Sequence, residues 1–76
     1  MKKEEALLKK EKYAGLAGMV LVHKFYKQKM KVVETGVVET PDNDENYLVY
    51  CKLEGDLGHI TETLDYVLTN YSLGGE

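Results

Sequence analysis

The chain has 76 residues and a net charge of −3, with hydrophobic residues at 43% and charged residues at 30%. This length fits one small domain, residues 1–76, and the composition is that of a folded protein. A single cysteine, Cys51, excludes a secreted scaffold held by disulfides. The longest apolar run, residues 14–22, falls short of the roughly 20 residues that a membrane span needs. We therefore expect a cytoplasmic protein with no membrane partner.

The N-terminal third is predicted to form one long helix, from about residue 2 to residue 29. Its first residues are rich in Lys, Glu, Leu and Ala, which favour helices. Helical spacing then places an apolar stripe opposite Lys9, Lys12, His23 and Lys27. The alternative is a break near Gly15, with the β-branched and aromatic residues 19–26 forming a strand. The stripe consists of Leu7, Ala14, Gly18, Leu21, Val22 and Phe25, with Ala6 and Ala17 at its margin.

A β-hairpin is predicted for the middle of the chain. Residues 31–40 contain VVET twice around Gly36, where a glycine inside a strand suggests a bulge or bend. Residues 41–46 are rich in Asp and Asn, which favour a turn. Residues 47–54 alternate in hydrophobicity, so one face of the returning strand points inward. That face consists of Tyr47, Val49, Cys51 and Leu53.

The C-terminal part is predicted to be an amphipathic helix from residue 57 to residue 71, with Asp56 as its N-cap. Its buried stripe would include Tyr71, whereas His59 would face solvent in the first turn. The predicted fold class is thus a small α+β domain of order α-β-β-α. Two exposed hairpin edges remain, and pairing of these edges across a two-fold axis would make a homodimer.

The sequence offers few groups for catalysis or metal binding. A nucleophile needs a base and an orienting group, but Cys51 falls on the apolar strand face, where burial is the ordinary outcome. His59 and Glu62 are only two ligands, whereas zinc takes three or four. The acidic turn begins like a calcium loop, but lacks the required glycine and glutamate. We predict no catalytic residues, no cofactor, no metal and no enzymatic activity.

The main hypothesis is a protein-binding module that acts by occluding a partner surface, such as a phage or mobile-element inhibitor of a host enzyme or defence complex. Residues 34–76 contain one lysine and ten acidic residues, which would steer the chain towards a basic protein surface. Tyrosine, the dominant aromatic with six copies, is enriched at interfaces. The predicted contact residues are Asp42, Asp44, Glu45, Tyr50, Glu54, Glu62, Asp65 and Tyr66.

The alternative is a dimeric nucleic-acid-binding protein that uses the basic segment 24–31. Four lysines there alternate with Phe25 and Tyr26, so cations could hold phosphates while rings stack on bases. The pI near 5.3 and the absence of arginine weigh against it. A third hypothesis, a ligand site formed only between subunits, has no positive support in the sequence.

Overall fold

The computed structural model describes residues 2–40 and 46–73. Within these ranges the chain forms two α-helices, a 3-10 turn and five strands. It is a compact α+β protein, as predicted, and its described residues contain no helix long and apolar enough to cross a membrane. In chain order the elements are α1 (Lys3–Lys12), the 3-10 turn (Ala14–Leu16), β1 (Val20–His23), β2 (Lys29–Glu39), β3 (Tyr47–Gly55), β4 (Gly58–Thr63), α2 (Leu64–Asn70) and β5 (Tyr71–Leu73).

The five strands of the described ranges form one antiparallel sheet in the order β4-β3-β2-β1-β5. Consecutive strands β1 to β4 form hairpins, and β5 returns to pair with β1 at the opposite edge. Both helices pack on one face of this sheet, which we call the covered face. The other face, here called the open face, has no helix against it, an arrangement common for antiparallel sheets.

The core lies between the covered face and the helices. In strand β3, Val49, Cys51 and Leu53 are almost fully buried and alternate with more exposed residues, so every second side chain of this strand points to the helices. Burial of Cys51 and an inward position for Tyr71 were both predicted, and both are confirmed. The buried apolar residues are Ala6, Leu21, Met30, Val32, Val49, Cys51, Leu53, Leu64, Val67 and Tyr71.

The predicted long N-terminal helix is wrong, and the alternative strand for residues 19–26 is closer. Helix α1 ends at Lys12, a 3-10 turn follows, and Ala17 is already extended before Gly18 adopts a positive φ of 91°. The chain then enters β1, where Val20 and Leu21 pair with β2. Helical spacing predicts Leu7 as the inward residue of α1, but Leu7 is exposed and the neighbouring Ala6 is buried instead.

The predicted C-terminal helix is also too long, because its first half is a strand. Residues 58–63 form β4, joined to β3 by a two-residue turn in which Leu57 is 95% exposed. The helix begins only at Leu64. Its N-cap is Thr63, whose Oγ1 accepts a hydrogen bond from the Tyr66 N–H at 3.2 Å, and not Asp56.

The two central strands match their predicted ranges closely, but the irregularity in β2 does not lie at Gly36. The register with β3 shifts between Val32 and Glu34. Gly36 instead lies directly opposite Tyr50, and a Cβ at this position would overlap the Tyr50 ring. The glycine therefore makes room for a ring on the open face. Of the predicted turn at 41–46, residues 41–45 lie outside the described ranges.

Candidate functional site: the aromatic tip

Strands β1 and β2 are joined by residues 24–28, which we call the aromatic tip. It presents Phe25 and Tyr26 to solvent, with exposed fractions of 79% and 78%. Lys27 adopts a φ of 58°, the left-handed conformation that lets the chain reverse direction here. The two neighbouring rings make a contiguous exposed apolar patch, and patches of this kind mark interaction sites when they are large.

The tip is tied to the body of the domain by backbone hydrogen bonds. The His23 N–H donates to the Gln28 carbonyl, and the Lys27 N–H donates to the His23 carbonyl, both at 2.9 Å. The Lys24 N–H donates to the Asn70 carbonyl at 2.8 Å, which links the tip to the last residue of α2. These bonds fix both ends of the reversal and restrict its backbone.

His23 supports the two exposed aromatic residues from below. Its side chain ends β1 on the covered face and is only 4% exposed. Its Nδ1 accepts hydrogen bonds from two backbone N–H groups, those of Phe25 at 3.1 Å and Tyr26 at 3.2 Å. A ring nitrogen that accepts has no proton, so the proton lies on Nε2, which donates to Tyr66 Oη at 3.2 Å.

Four aromatic rings surround the imidazole. Tyr26 packs against it with ring centroids 4.7 Å apart, and Tyr71 meets it edge-on at 5.0 Å. Phe25 and Tyr66 lie farther out, at 6.1 and 6.2 Å. The outer rings of the tip thus rest on an inner layer that belongs to the core, and the tip is a supported surface rather than a loose loop.

The electrostatic character of the tip is positive. Lys24 and Lys27 lie within it and Lys29 follows at the start of β2, and none of the three forms an ion pair with another described residue. By contrast, two of the predicted acidic contact residues already have partners. Asp65 Oδ1 lies 2.6 Å from Lys9 Nζ, and Glu54 Oε2 lies 3.2 Å from His59 Nε2.

The structure divides the predicted contact residues between two faces. Tyr50 and Glu54 lie on the open face, whereas Glu62, Asp65 and Tyr66 lie on the side of the helices. Of these, only Tyr66 reaches the tip, through its hydrogen bond to His23. Asp42, Asp44 and Glu45 lie outside the described residues.

Sequence reasoning identified the basic aromatic segment but missed its geometry. Phe25 was assigned to a buried helical stripe and His23 to the opposite, solvent-facing side. The structure reverses both assignments, because residues 20–23 form a strand and not a helix. The available signal was the β-branched and aromatic run from Met19 to Tyr26, which favours a strand over a helix.

The cysteine and the histidine that the sequence singled out for chemistry, Cys51 and His59, lie apart in the structure. Cys51 points to the covered face, and its pKa is raised by burial, which keeps the thiol protonated. His59 lies on the open face, so these two side chains are on opposite sides of the sheet. Within the described ranges no three His, Cys, Asp or Glu side chains are grouped to hold a metal ion.

The described residues also form surface depressions, which are lined by residues outside the tip. The open face holds a shallow one of about 400 Å³, lined by charged and polar side chains around Tyr50. Near β5, a smaller groove of about 130 Å³ is lined almost entirely by apolar side chains, among them Leu68 and Leu73. The open-face depression includes Glu34 and Lys52, which lie opposite each other on β2 and β3, whereas the groove near β5 has no charged lining residue.

No family model, no curated protein and no solved structure matches this chain. The functional interpretation therefore depends on the residues and their geometry alone.

Proposed function

We propose that this chain is a non-enzymatic protein-binding module that docks through the aromatic tip. The observation that supports this most directly is the pair of exposed rings on a hydrogen-bonded turn. Aromatic residues dominate binding energy at protein interfaces, especially where they enter a pocket and are held before binding. Phe25 and Tyr26 meet that description, since their backbone is fixed by His23 and their rings face solvent.

The proposed partner presents an apolar pocket with carboxylates at its rim. The rings would enter the pocket while Lys24, Lys27 and Lys29 lie around it, and complementary charge of this kind speeds association. The acidic surface predicted from the sequence remains a separate proposal for contact with a basic region. It is the weaker of the two, because Asp65 is already ion-paired with Lys9 and Glu54 is already hydrogen-bonded to His59 within the chain.

The proposed mode of action is occlusion: the chain changes its partner by covering a surface, as an inhibitor or a small regulatory subunit does. We propose that this takes place in the cytoplasm, where the unpaired thiol of Cys51 stays reduced.

The test is affinity capture from cells of the source organism with three versions of the protein. They are the wild type, the double variant Phe25→Ala with Tyr26→Ala, and the control Leu57→Ala. Leu57 is a suitable control because it is also a highly exposed apolar residue on a turn, but it lies between β3 and β4. We expect a partner protein held by wild type and control, and a loss of affinity of at least about a hundredfold in the double variant. Equal capture by all three would exclude the tip.

We also propose that the chain forms a weak homodimer through β4, which is one edge of the sheet. Edge strands are ordinarily protected by lysine, proline or a bulge, and residues 58–63 contain no lysine and no proline. Ile60 is 42% exposed on this edge and would lie beside its two-fold mate in an antiparallel pair. Light scattering at increasing concentration should show a dimer that Thr61→Pro abolishes. A wild-type monomer at every concentration would contradict the proposal.

Binding of single-stranded nucleic acid is the second candidate function, and the tip favours it for one reason. Phe25 and Tyr26 are exposed between unpaired lysines, the combination that holds a phosphate backbone while rings stack on bases. Against it, the tip is a protrusion rather than a groove, and the chain carries a net charge of −3. Fluorescence anisotropy with labelled oligo-dT and oligo-U at low salt separates the two functions. Salt-sensitive binding that is lost on replacing Lys24 and Lys27 with glutamine would favour nucleic acid, and no binding at micromolar protein would exclude it.

A further inference from the structure

We propose that His23 makes the aromatic tip sensitive to pH, so that the tip is ordered when the imidazole is neutral and released when it is protonated. This regulates the surface described under the proposed function and rests on it for its biological meaning. The hydrogen bonds of His23 are its physical basis, and they can be tested without a partner.

The ordered tip requires a hydrogen-bond acceptor at Nδ1. This nitrogen accepts from the backbone N–H of Phe25 at 3.1 Å and of Tyr26 at 3.2 Å. Both residues that present their rings to solvent are therefore held by the same lone pair. No other hydrogen bond of these two N–H groups is found among the described residues.

Protonation removes that acceptor. An imidazolium has N–H groups at both nitrogens, so Nδ1 would point a donor at two further donors. His23 as a residue is only 4% exposed, so few waters can reach the ring to replace the lost partners. At Nε2 the bond to Tyr66 Oη survives, because this nitrogen donates in both states. The change is thus confined to the side of the ring that holds the tip.

The surroundings of the ring do not compensate for a positive charge. Among the described residues no carboxylate is hydrogen-bonded to His23. Its ring neighbours from α2, β5 and the tip are three phenols and the phenyl ring of Phe25, and the flanking lysines carry the same sign of charge as an imidazolium. Glu62 of β4 acts electrostatically on Tyr71 but makes no bond to the imidazole. The titratable and charged groups around the ring are Tyr26, Tyr66, Tyr71, Lys24, Lys27 and Glu62.

The direction of the effect follows from linkage. The ordered tip is compatible only with a neutral His23 imidazole, whereas the open tip is compatible with both the neutral and the protonated imidazole. Acidification therefore favours the open tip. With a neutral imidazole the rings would be displayed for binding. With a protonated imidazole the Phe25 and Tyr26 amides would lose their acceptor, and the preorganisation that favours binding would be lost with it.

The experiment uses the backbone amide signals of the free protein by nuclear magnetic resonance at about pH 7.5 and about pH 5.5. We expect the protection of the Phe25 and Tyr26 amides against hydrogen exchange to fall at least about tenfold more than that of the Lys24 amide, after correction for intrinsic exchange. The Lys24 amide is an internal reference, because its acceptor is the Asn70 carbonyl and not His23.

The chain offers a matched control, because it contains only two histidines. His59 is exposed on the open face and bonded to Glu54, so His59→Gln should leave the response of the tip unchanged. His23→Asn provides an acceptor near the position of Nδ1 that does not titrate, and it should keep the tip protected at both pH values.

Equal protection of the tip amides at both pH values in the wild type would overturn the proposal, and so would loss of the response in His59→Gln. If His23→Asn does not fold, the comparison of wild type with His59→Gln still decides. Failure here leaves partner capture through the tip untouched, since the proposed docking surface needs the rings but not their pH dependence.

Discussion

Replacing Leu53 with alanine tests which face of β3 forms the core. Leu53 is fully buried, lies in the central part of the sheet and belongs to the strand on which both helices pack. Truncation of a buried leucine costs the lost transfer energy and the energy of the cavity left behind, together about 3–5 kcal/mol. A chain of this size has roughly 4–11 kcal/mol of stability in total. The variant should therefore lose a large fraction of its stability and about 12 °C or more in Tm.

The matched control is Leu48→Ala in the same strand. Leu48 lies on the open face and is 37% exposed, so the same truncation should cost about 1 kcal/mol. Urea unfolding followed by circular dichroism measures both variants, and equal slopes would show that the unfolded states are comparable. If Leu53→Ala does not fold, Leu53→Val and Leu48→Val give a smaller but parallel comparison. A loss at Leu48 equal to or larger than that at Leu53 would refute the assignment of the two faces.

Three further outcomes follow from local contacts. Thr63→Ala removes the N-cap of α2 and should lower the free energy of unfolding by about 1 kcal/mol, measured by urea unfolding. Asp65→Asn breaks an exposed ion pair with Lys9 and should change stability by less than about 1 kcal/mol, with a smaller effect at high salt. Burial raises the pKa of the Cys51 thiol above its ordinary value of 9.0, and burial is also the largest cause that raises the pKa of Tyr71 above 10.0. The folded protein thus keeps these two protons at a pH where the unfolded chain has released them, so both groups should lower its stability as pH rises above about 9. An unchanged unfolding midpoint between neutral and strongly alkaline pH would contradict this.

The parts of the fold that sequence predicted best are those where one strong local pattern agrees with the tertiary structure. Strand β3 is the clearest example, since its period-2 alternation identified Val49, Cys51 and Leu53 as an inward face. The strand pairs on both sides and has helices over one face, so its local preference and its packing demand the same geometry.

Prediction failed where a helical spacing of apolar residues coincided with strand structure. Ile60 and Leu64 are four apart, as on a helix face, yet Ile60 pairs with Leu53 in the sheet and only Leu64 is helical. Pairing along the edge of β3 outweighs the weak helix preference of the threonine-rich segment before Leu64. At the N-terminal end the same apolar spacing spans α1, a 3-10 turn and β1, and Gly18 adopts a positive φ of 91° just before β1.

The candidate site could be predicted only in part for a related reason. The sequence shows lysines next to Phe25 and Tyr26, and this was enough to identify the segment as a possible contact. The role of His23 depends on a chain reversal that returns two backbone N–H groups to its own ring. No pattern of residue types predicts that reversal. The apolar spacing also fits a helix over the same residues, and such a helix would have placed this imidazole in solvent.

Site-specific photocrosslinking measures directly whether the aromatic tip touches another protein. A photoreactive phenylalanine analogue, benzoylphenylalanine, replaces Phe25 in one version of the chain and Leu57 in another, and both are irradiated in extract of the source organism. Both positions are exposed, at 79% and 95%, so they differ in location rather than in access. We predict a discrete protein adduct from position 25 and none from position 57. No adduct at either position, the same adducts at both, or adducts to nucleic acid alone would contradict protein binding through the tip.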